Sequence, residues 1–391
     1  MKLHQIQSAL KQTGAADGWL FSDFHHRDPL GGRVLGLDPA KICKRRWFYF
    51  VPAVGAPQKL VHAIEQFVLD DLPGKKCVYR GHVELREKLQ ALLQGARSVA
   101  MQYSPMGHVP MVSLIDAGTV ELVRSLGVEV RSSADLIARI HSIVSTRGFK
   151  LHAEAGLKVQ AIKDAAFKKI FDAVASGRKL DEFALQQFIV ERFAQANLVS
   201  DAPPIVAVDD HAADPHFEVS KKNPRAFKKH SRILLDMWAK VNAPGAIYYD
   251  ITWCGYAGAK PPARYAKLFE HVTRARDAAL DFVRDGLAAG RTVRGWEIDK
   301  ACRDVIAAQG LEPHFLHRTG HSIDSDVHGS GANIDGLETL DDRAILPSTC
   351  FSIEPGIYLD GIGVRTEISV CIDAKNRVKV IGDMQRELML P

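Results

Sequence analysis

The sequence predicts an α/β domain over residues 1–148 and a second domain, 149–391, in which one unit of helix and paired strands occurs twice. Three observations carry this. Short β-rich runs alternate with helical stretches through the first 140 or so residues, long amphipathic helices take over after HSIVSTRG, and an internal repeat follows them. At 391 residues the chain exceeds what one hydrophobic core usually serves, so two domains are expected on length alone.

The elements follow in order. MKLHQIQSALKQT has the apolar spacing of an amphipathic helix and lacks the apolar stretch of a secretory signal. GWLF at 18–21, RWFYFVP at 46–52, KCVYR at 76–80, RSVAMQY at 97–103 and VEVRSS at 128–133 read as strands, with HVELREKLQALLQ as a helix among them. Strands alternating with helices indicate an α/β layer structure. Beyond the boundary, helices are expected over 151–176 and from Asp181 to about Ala196.

At an offset of 113, GRKLDEFALQQFIVERFAQANL (177–198) matches GRTVRGWEIDKACRDVIAAQGL (290–311). Gly177/Gly290, Arg178/Arg291, Ala194/Ala307 and Leu198/Leu311 are identical, and Leu185/Ile298 and Phe183/Trp296 are apolar equivalents. Each copy reads as a turn entering a helix. Each is followed by β-formers that hold two acids: Asp236 and Asp250, 14 residues apart, then Glu354 and Glu367, 13 apart.

The bulk composition narrows the function classes. Hydrophobic content of 46% with 25% charged residues is ordinary for a soluble globular protein, and no run approaches the roughly 18 apolar residues of a membrane span. Six scattered cysteines without a CxxC pair argue against a zinc ribbon or a disulfide framework. A cytoplasmic protein with no membrane association is expected. The basic run KKNPRAFKKH, 221–230, has Phe227 as its single aromatic and reads as a solvated loop, so no nucleic-acid partner is expected.

Asp236 follows Ile-Leu-Leu and Glu354 follows Phe-Ser-Ile. A carboxylate in such a run costs several kcal/mol in desolvation unless it is paired or bound to a cation. One such acid can reach solvent or pair with a local Arg. Four at matched positions would repel one another without positive charge between them. HRTGHSIDSDVHGSG, 317–331, adds His317, His321 and His328 beside glycines that permit close backbone approach. Oxygen-rich donors with one imidazole suit hard or borderline divalent ions such as Mn, Co or Zn, and four carboxylates suffice for two ions. The other two histidines are then free to serve a substrate.

The ordered set Asp236, Asp250, His321, Glu354 and Glu367 resembles the five-ligand dinuclear site of the pita-bread metallopeptidases, which include methionine aminopeptidase, aminopeptidase P and prolidase. HRTGHSIDSDVHGSG resembles their H-x-x-x-H-x(6)-H segment, IEPGIYL their E-P-G-x-Y segment and GVRTE their G-x-R-x-E segment. Residues 1–148 resemble the creatinase-like N-terminal domain of the proline-specific branch. The resemblance implies a pseudo-twofold α+β pita-bread domain behind that α/β domain, a homodimer, and two divalent ions, with manganese first and zinc or cobalt as alternatives.

It further implies an Xaa-Pro dipeptidase acting on small peptides, with an aminopeptidase P for longer peptides as the alternative and a catalytically silent binding protein of the same fold behind both. Glu354 would be ligand and proton shuttle. His317 and His328 would steady the reacting carbonyl and the carboxyl side of the substrate, and His216 would border the proline pocket. Arg365 and Tyr358 would hydrogen-bond the ligands, the plainer readings being an ion pair and a packed aromatic.

Two features depart from that pattern. DMW stands where the family has D-x-G, and the two aspartates lie three residues further apart than is usual. Separately, SDFHHRDPLGG (22–32) gathers Asp23, His25, His26, Arg27 and Asp28 in one loop, and His26 is expected to contact substrate termini from the neighbouring subunit.

Overall fold

All five β-rich runs of the first 140 residues are strands of one sheet in the computed structural model, which describes residues 3–391. A sixth strand, Gln58–His62, was not expected. Its central Lys59 is buried, with Nζ donating to the carbonyls of Leu69 and Leu72, and this breaks the apolar alternation that marks a strand. The sheet runs Lys75–Tyr79, Gln58–His62, Trp47–Pro52, Gly18–Asp23, Ser98–Met101, Glu129–Ser132.

Its central strands are buried on both faces, because successive side chains point to opposite sides. Trp19, Phe21, Tyr49 and Val51 enter one core with the helices Leu3–Thr13 and Ala134–His141. Leu20, Phe48 and Phe50 enter the other, against His82–Leu92 and Ala117–Ser125. Met1 and Lys2 of the expected first helix lie outside the described residues.

The chain divides between His141 and Ser142 into two units. The expected boundary at 148 falls just inside a helix, Thr146–Ser176, whose first turn is capped by Ser145 Oγ accepting from the Gly148 N–H. The Ser cap fixes where this helix begins, ahead of the point where its apolar periodicity becomes visible in the sequence.

The second unit contains the repeat. Helices Thr146–Ser176 and Glu182–Gln195 pack on the strands Arg232–Val241 and Tyr249–Tyr256, and helices Ala263–Ala288 and Gly295–Ala307 pack on Thr349–Ile353 and Ile368–Ile372. Gly177 and Gly290 adopt φ of 68° and 69°, the left-handed turn that ends the first helix of each half, and a side chain there would be strained. Leu185 and Ile298, equivalent in the repeat, are both fully buried. The bridges Asp181↔Ala226 and Arg294↔Ala344 also correspond.

No described helix is long and apolar enough to cross a membrane. In the basic run, Phe227 is buried in the core and Arg225 pairs with Asp210.

Candidate metal centre

Asp236 and Asp250 occupy the two strands of the first hairpin. Asp236 stands opposite Thr252, and Asp250 opposite Trp238. The two acids therefore sit two positions apart on the ladder and share a face. Glu354 and Glu367 flank the Ile353↔Ile368 pair of the second half. The twelve residues between them include a short hairpin, Gly356–Leu359 with Ile362–Arg365.

Small hydroxyls join the two halves at this point. Ser369 Oγ accepts from the Asp250 N–H (3.1 Å) and donates to the Asp250 carbonyl (3.0 Å). The Glu367 N–H donates to the Thr252 carbonyl (3.1 Å), and Thr252 Oγ1 donates to Glu367 Oε2 (2.9 Å). Both carboxylate pairs thus reach one cavity of about 350 Å³, lined also by His216, His317, His321, His328 and Arg365.

Asp250, His321 and Glu367 each offer a donor atom within 4.8 Å of the others. His321 Nδ1–H donates to the Ser322 carbonyl (3.1 Å), which leaves Nε2 with its lone pair toward Glu354 Oε1 (3.2 Å) and Asp250 Oδ2 (3.6 Å). A ring oriented by a backbone carbonyl in this way is the usual state of a ligating histidine. Arg365 Nη2 pairs with Asp236 Oδ2 (2.6 Å) and its Nε donates to Thr252 Oγ1 (3.1 Å).

Burial and mutual repulsion both act on the clustered acids. Burial first, then the neighbouring acids, holds the carboxyls of Asp250 and Glu367 well above the ordinary range. Burial also raises Asp236, against the pull of Arg365. Burial lowers His317 and His321 to about 3, and His328 is lowered to about 4 by His321 and by burial, so none of the rings supplies a cation at neutral pH. Asp236 Oδ1, Asp250 Oδ1 and Glu367 Oε1 are buried with no hydrogen-bond partner. Such atoms are rare without a missing partner, and oxygen donors of this kind fit divalent cations.

Tyr358 and Arg365 are linked to His317 by hydrogen bonds. Arg365 Nη1 donates to Tyr358 OH (2.8 Å), Tyr358 OH donates to His317 Nε2 (2.8 Å), and His317 Nδ1–H donates to the Arg318 carbonyl (2.7 Å). The chain fixes the His317 tautomer and spends both of its nitrogens within the protein. His328 packs edge-on against His321, with centroids 4.4 Å apart. His216 lines the cavity with its ring exposed. His26 lies in the N-terminal unit beside Asp23 and Cys43.

Sequence reasoning missed Arg318 and the pair Trp238–Asp201. Arg318 lines the cavity between His317 and His321. Its backbone N–H donates to Glu338 Oε1 (2.8 Å), while its guanidinium makes no hydrogen bond or ion pair among the described residues. Trp238 Nε1 donates to Asp201 Oδ1 (2.7 Å) at the cavity wall. A basic residue inside the histidine motif was the available signal for Arg318.

Two halves of like construction, converging their acids on one cleft, define a metallohydrolase of the pita-bread class. The chain belongs to metallopeptidase family M24, whose profile matches residues 155–374. It is similar to a probable dipeptidase PepE of Mycobacterium tuberculosis, 27% identical over 341 residues that cover 87% of this chain and 83% of the relative. It is also similar to an Xaa-Pro dipeptidase of Pyrococcus horikoshii, 25% identical over 305 residues and 76% of each chain. The crystal structure of dipeptidase PepE from Mycobacterium ulcerans superposes with a TM-score of 0.69 at 23% identity, over 99% of this chain and 96% of that one, and shares the fold.

Proposed function

We propose that the chain is a metal-dependent Xaa-Pro dipeptidase that hydrolyses dipeptides with C-terminal proline. The observation that carries the reading is the convergence of Asp236, Asp250, His321, Glu354 and Glu367 on one cavity with three buried carboxylate oxygens left without partners. Two divalent ions held by these five residues would activate water and polarise the scissile carbonyl. The oxygen-rich donor set favours manganese, with zinc or cobalt as alternatives. By resemblance to its branch of the family, the protein acts as a homodimer in the cytoplasm.

The chain's own groups do the rest. Glu354 Oε1, held by Ser352 Oγ at 3.0 Å, is placed to take a proton from water and return it to the leaving nitrogen. An Xaa-Pro bond needs such a donor, because its nitrogen is a tertiary amide without an N–H. His328 faces the substrate carbonyl, and His317 acts by position through Tyr358 and Arg365. His216 borders the proline ring. The free guanidinium of Arg318 gives the cleft a partner for a terminal carboxylate, which a dipeptide presents next to its proline and a longer peptide does not. That favours the dipeptidase over the aminopeptidase P reading.

The test is a chelator-stripped preparation, with and without added Mn, assayed on Leu-Pro, Leu-Pro-Gly and Leu-Leu. Metal-dependent cleavage of Leu-Pro alone is expected. Faster release of Leu from Leu-Pro-Gly would move the assignment to an aminopeptidase P, and silence on all three with metal bound would end the peptidase reading.

A further inference from the structure

Asp23 and His26 of the SDFHHRDPLGG loop form, with Cys43, a cluster of metal-ligating side chains inside the N-terminal unit that shares no residue with the carboxylate cleft; His152, Cys350 and Cys371 form another group in the second unit. Asp23, His26 and Cys43 each place one donor atom within 4.8 Å of the other two. Cys43 Sγ lies 3.7 Å from Asp23 Oδ2, and His26 Nδ1 lies 4.0 Å from the same oxygen. Ligands bound to zinc at about 2.0–2.3 Å in a tetrahedron stand roughly 3.3–3.7 Å from one another. The two separations from Asp23 Oδ2 need at most a few tenths of an ångström of closure, and His26 and Cys43 lie within 4.8 Å of each other.

The donors are aimed as well as close. His26 Nε2 donates to the Lys41 carbonyl at 2.9 Å, so its proton is on Nε2 and the Nδ1 lone pair faces the Asp23 carboxylate. The Cys43 thiol donates to the same oxygen, so Asp23 Oδ2 gathers both of the other donors around it. A backbone carbonyl holding the far nitrogen of the ring is how ligating histidines are oriented. Asp23 is oriented too, since its Oδ1 accepts from the backbone N–H groups of Phe24 (2.7 Å) and Arg27 (2.8 Å), leaving Oδ2 for the cluster. The His25 N–H donates to the Cys43 carbonyl at 2.9 Å and ties the two segments together.

We propose that Asp23, His26 and Cys43 bind a zinc ion, with a fourth position open to the adjoining cavity of about 300 Å³. The donor set decides the ion. A thiolate with an imidazole and one carboxylate selects zinc over manganese or magnesium, which prefer oxygen throughout. The thiol proton is released to solvent on binding, and no electron changes hands. Asp28, Leu37 and Trp47 line the cavity wall, leaving room for water at the fourth position.

Cobalt distinguishes this site from the carboxylate cleft, because only a cysteine ligand gives a near-ultraviolet thiolate-to-cobalt charge-transfer band and none of the five cleft residues is a cysteine. The full-length protein, stripped of metal, is titrated with Co(II). The band should saturate at one thiolate-bound Co(II) per chain, in addition to the cobalt that the carboxylate cleft takes up, and added Zn(II) should erase it. Cys43→Ser should abolish it, and His26→Ala, at an exposed side chain, should weaken Co(II) binding at least about tenfold. Cys371→Ser, which removes one of the opposed pair Cys350 and Cys371, should leave the band intact. Absence of the band at saturating cobalt, or its survival in Cys43→Ser, would overturn the assignment.

Discussion

Replacing Arg318 with Met tests whether the cleft reads a free carboxyl terminus. Met keeps most of the stem and removes a cavity-lining guanidinium that no carboxylate among the described residues engages. A guanidinium–carboxylate contact is charge-assisted and can be bidentate, and hydrogen bonds of that kind are worth about 1.5–3 kcal/mol. The side chain is partly exposed, so solvent screening puts the lower half of that range forward. At 1.4 kcal/mol per factor of ten, kcat/KM for Leu-Pro should fall about 10- to 50-fold. Leu-Pro-amide lacks the carboxylate and should lose little. The wild-type preference for the free acid over the amide should therefore collapse toward unity, mostly through KM. An equal loss on both substrates would show that Arg318 shapes the cleft without reading charge, and no loss on either would remove it from substrate binding.

Further outcomes are equally specific. Asp250→Asn should cost more than about a hundredfold in metal-dependent activity, above the range for groups that merely orient ligands. Its metal-free form should melt no lower than the wild type, because one of the mutually repelling acids is gone; full activity would refute the ligand assignment. Tyr358→Phe breaks the Arg365–Tyr358–His317 chain and should lower kcat by about one order of magnitude with KM nearly unchanged, whereas a packed aromatic would show no such split. His26→Ala should alter the dipeptide-to-tripeptide rate ratio if its loop limits substrate length, and an unchanged ratio would remove that role. Lys163 is buried against Trp253, and burial lowers its ammonium below the ordinary value of 10.5. A lysine lowered in the folded state costs stability below its folded pKa and recovers it as pH rises toward the unfolded value. Thermal melts from pH 7 to 10.5 should show the wild type gaining on Lys163→Met, and a constant gap would contradict the shift.

What could be read from the sequence is what physical cost makes conspicuous. Acids inside apolar strands are expensive, so Asp236 and Glu354 stood out, and the repeat multiplied the signal by placing Asp250 and Glu367 at matching distances. Gly177 and Gly290 were visible because a left-handed helix end favours one residue type. The strand Gln58–His62 stayed hidden because Lys59, satisfied by two carbonyls rather than by solvent, reads as a surface residue. The same ambiguity concealed Arg318. A lone charge in a glycine-bearing loop is usually solvated, and only the cavity around it shows that its neighbours are a histidine chain and the carboxylate cluster. The hydroxyls of Thr252 and Ser369 were invisible for a related reason: their work is to join two half-sheets far apart in sequence, and no local pattern encodes a contact made across 115 or 119 residues. Residues that are costly where they stand announce themselves, and those made cheap by distant partners do not. The residues proposed to hold cations were therefore legible before Arg318, which is proposed to read the substrate's carboxyl end, so the substrate-length reading rests on Arg318 while the metal reading does not.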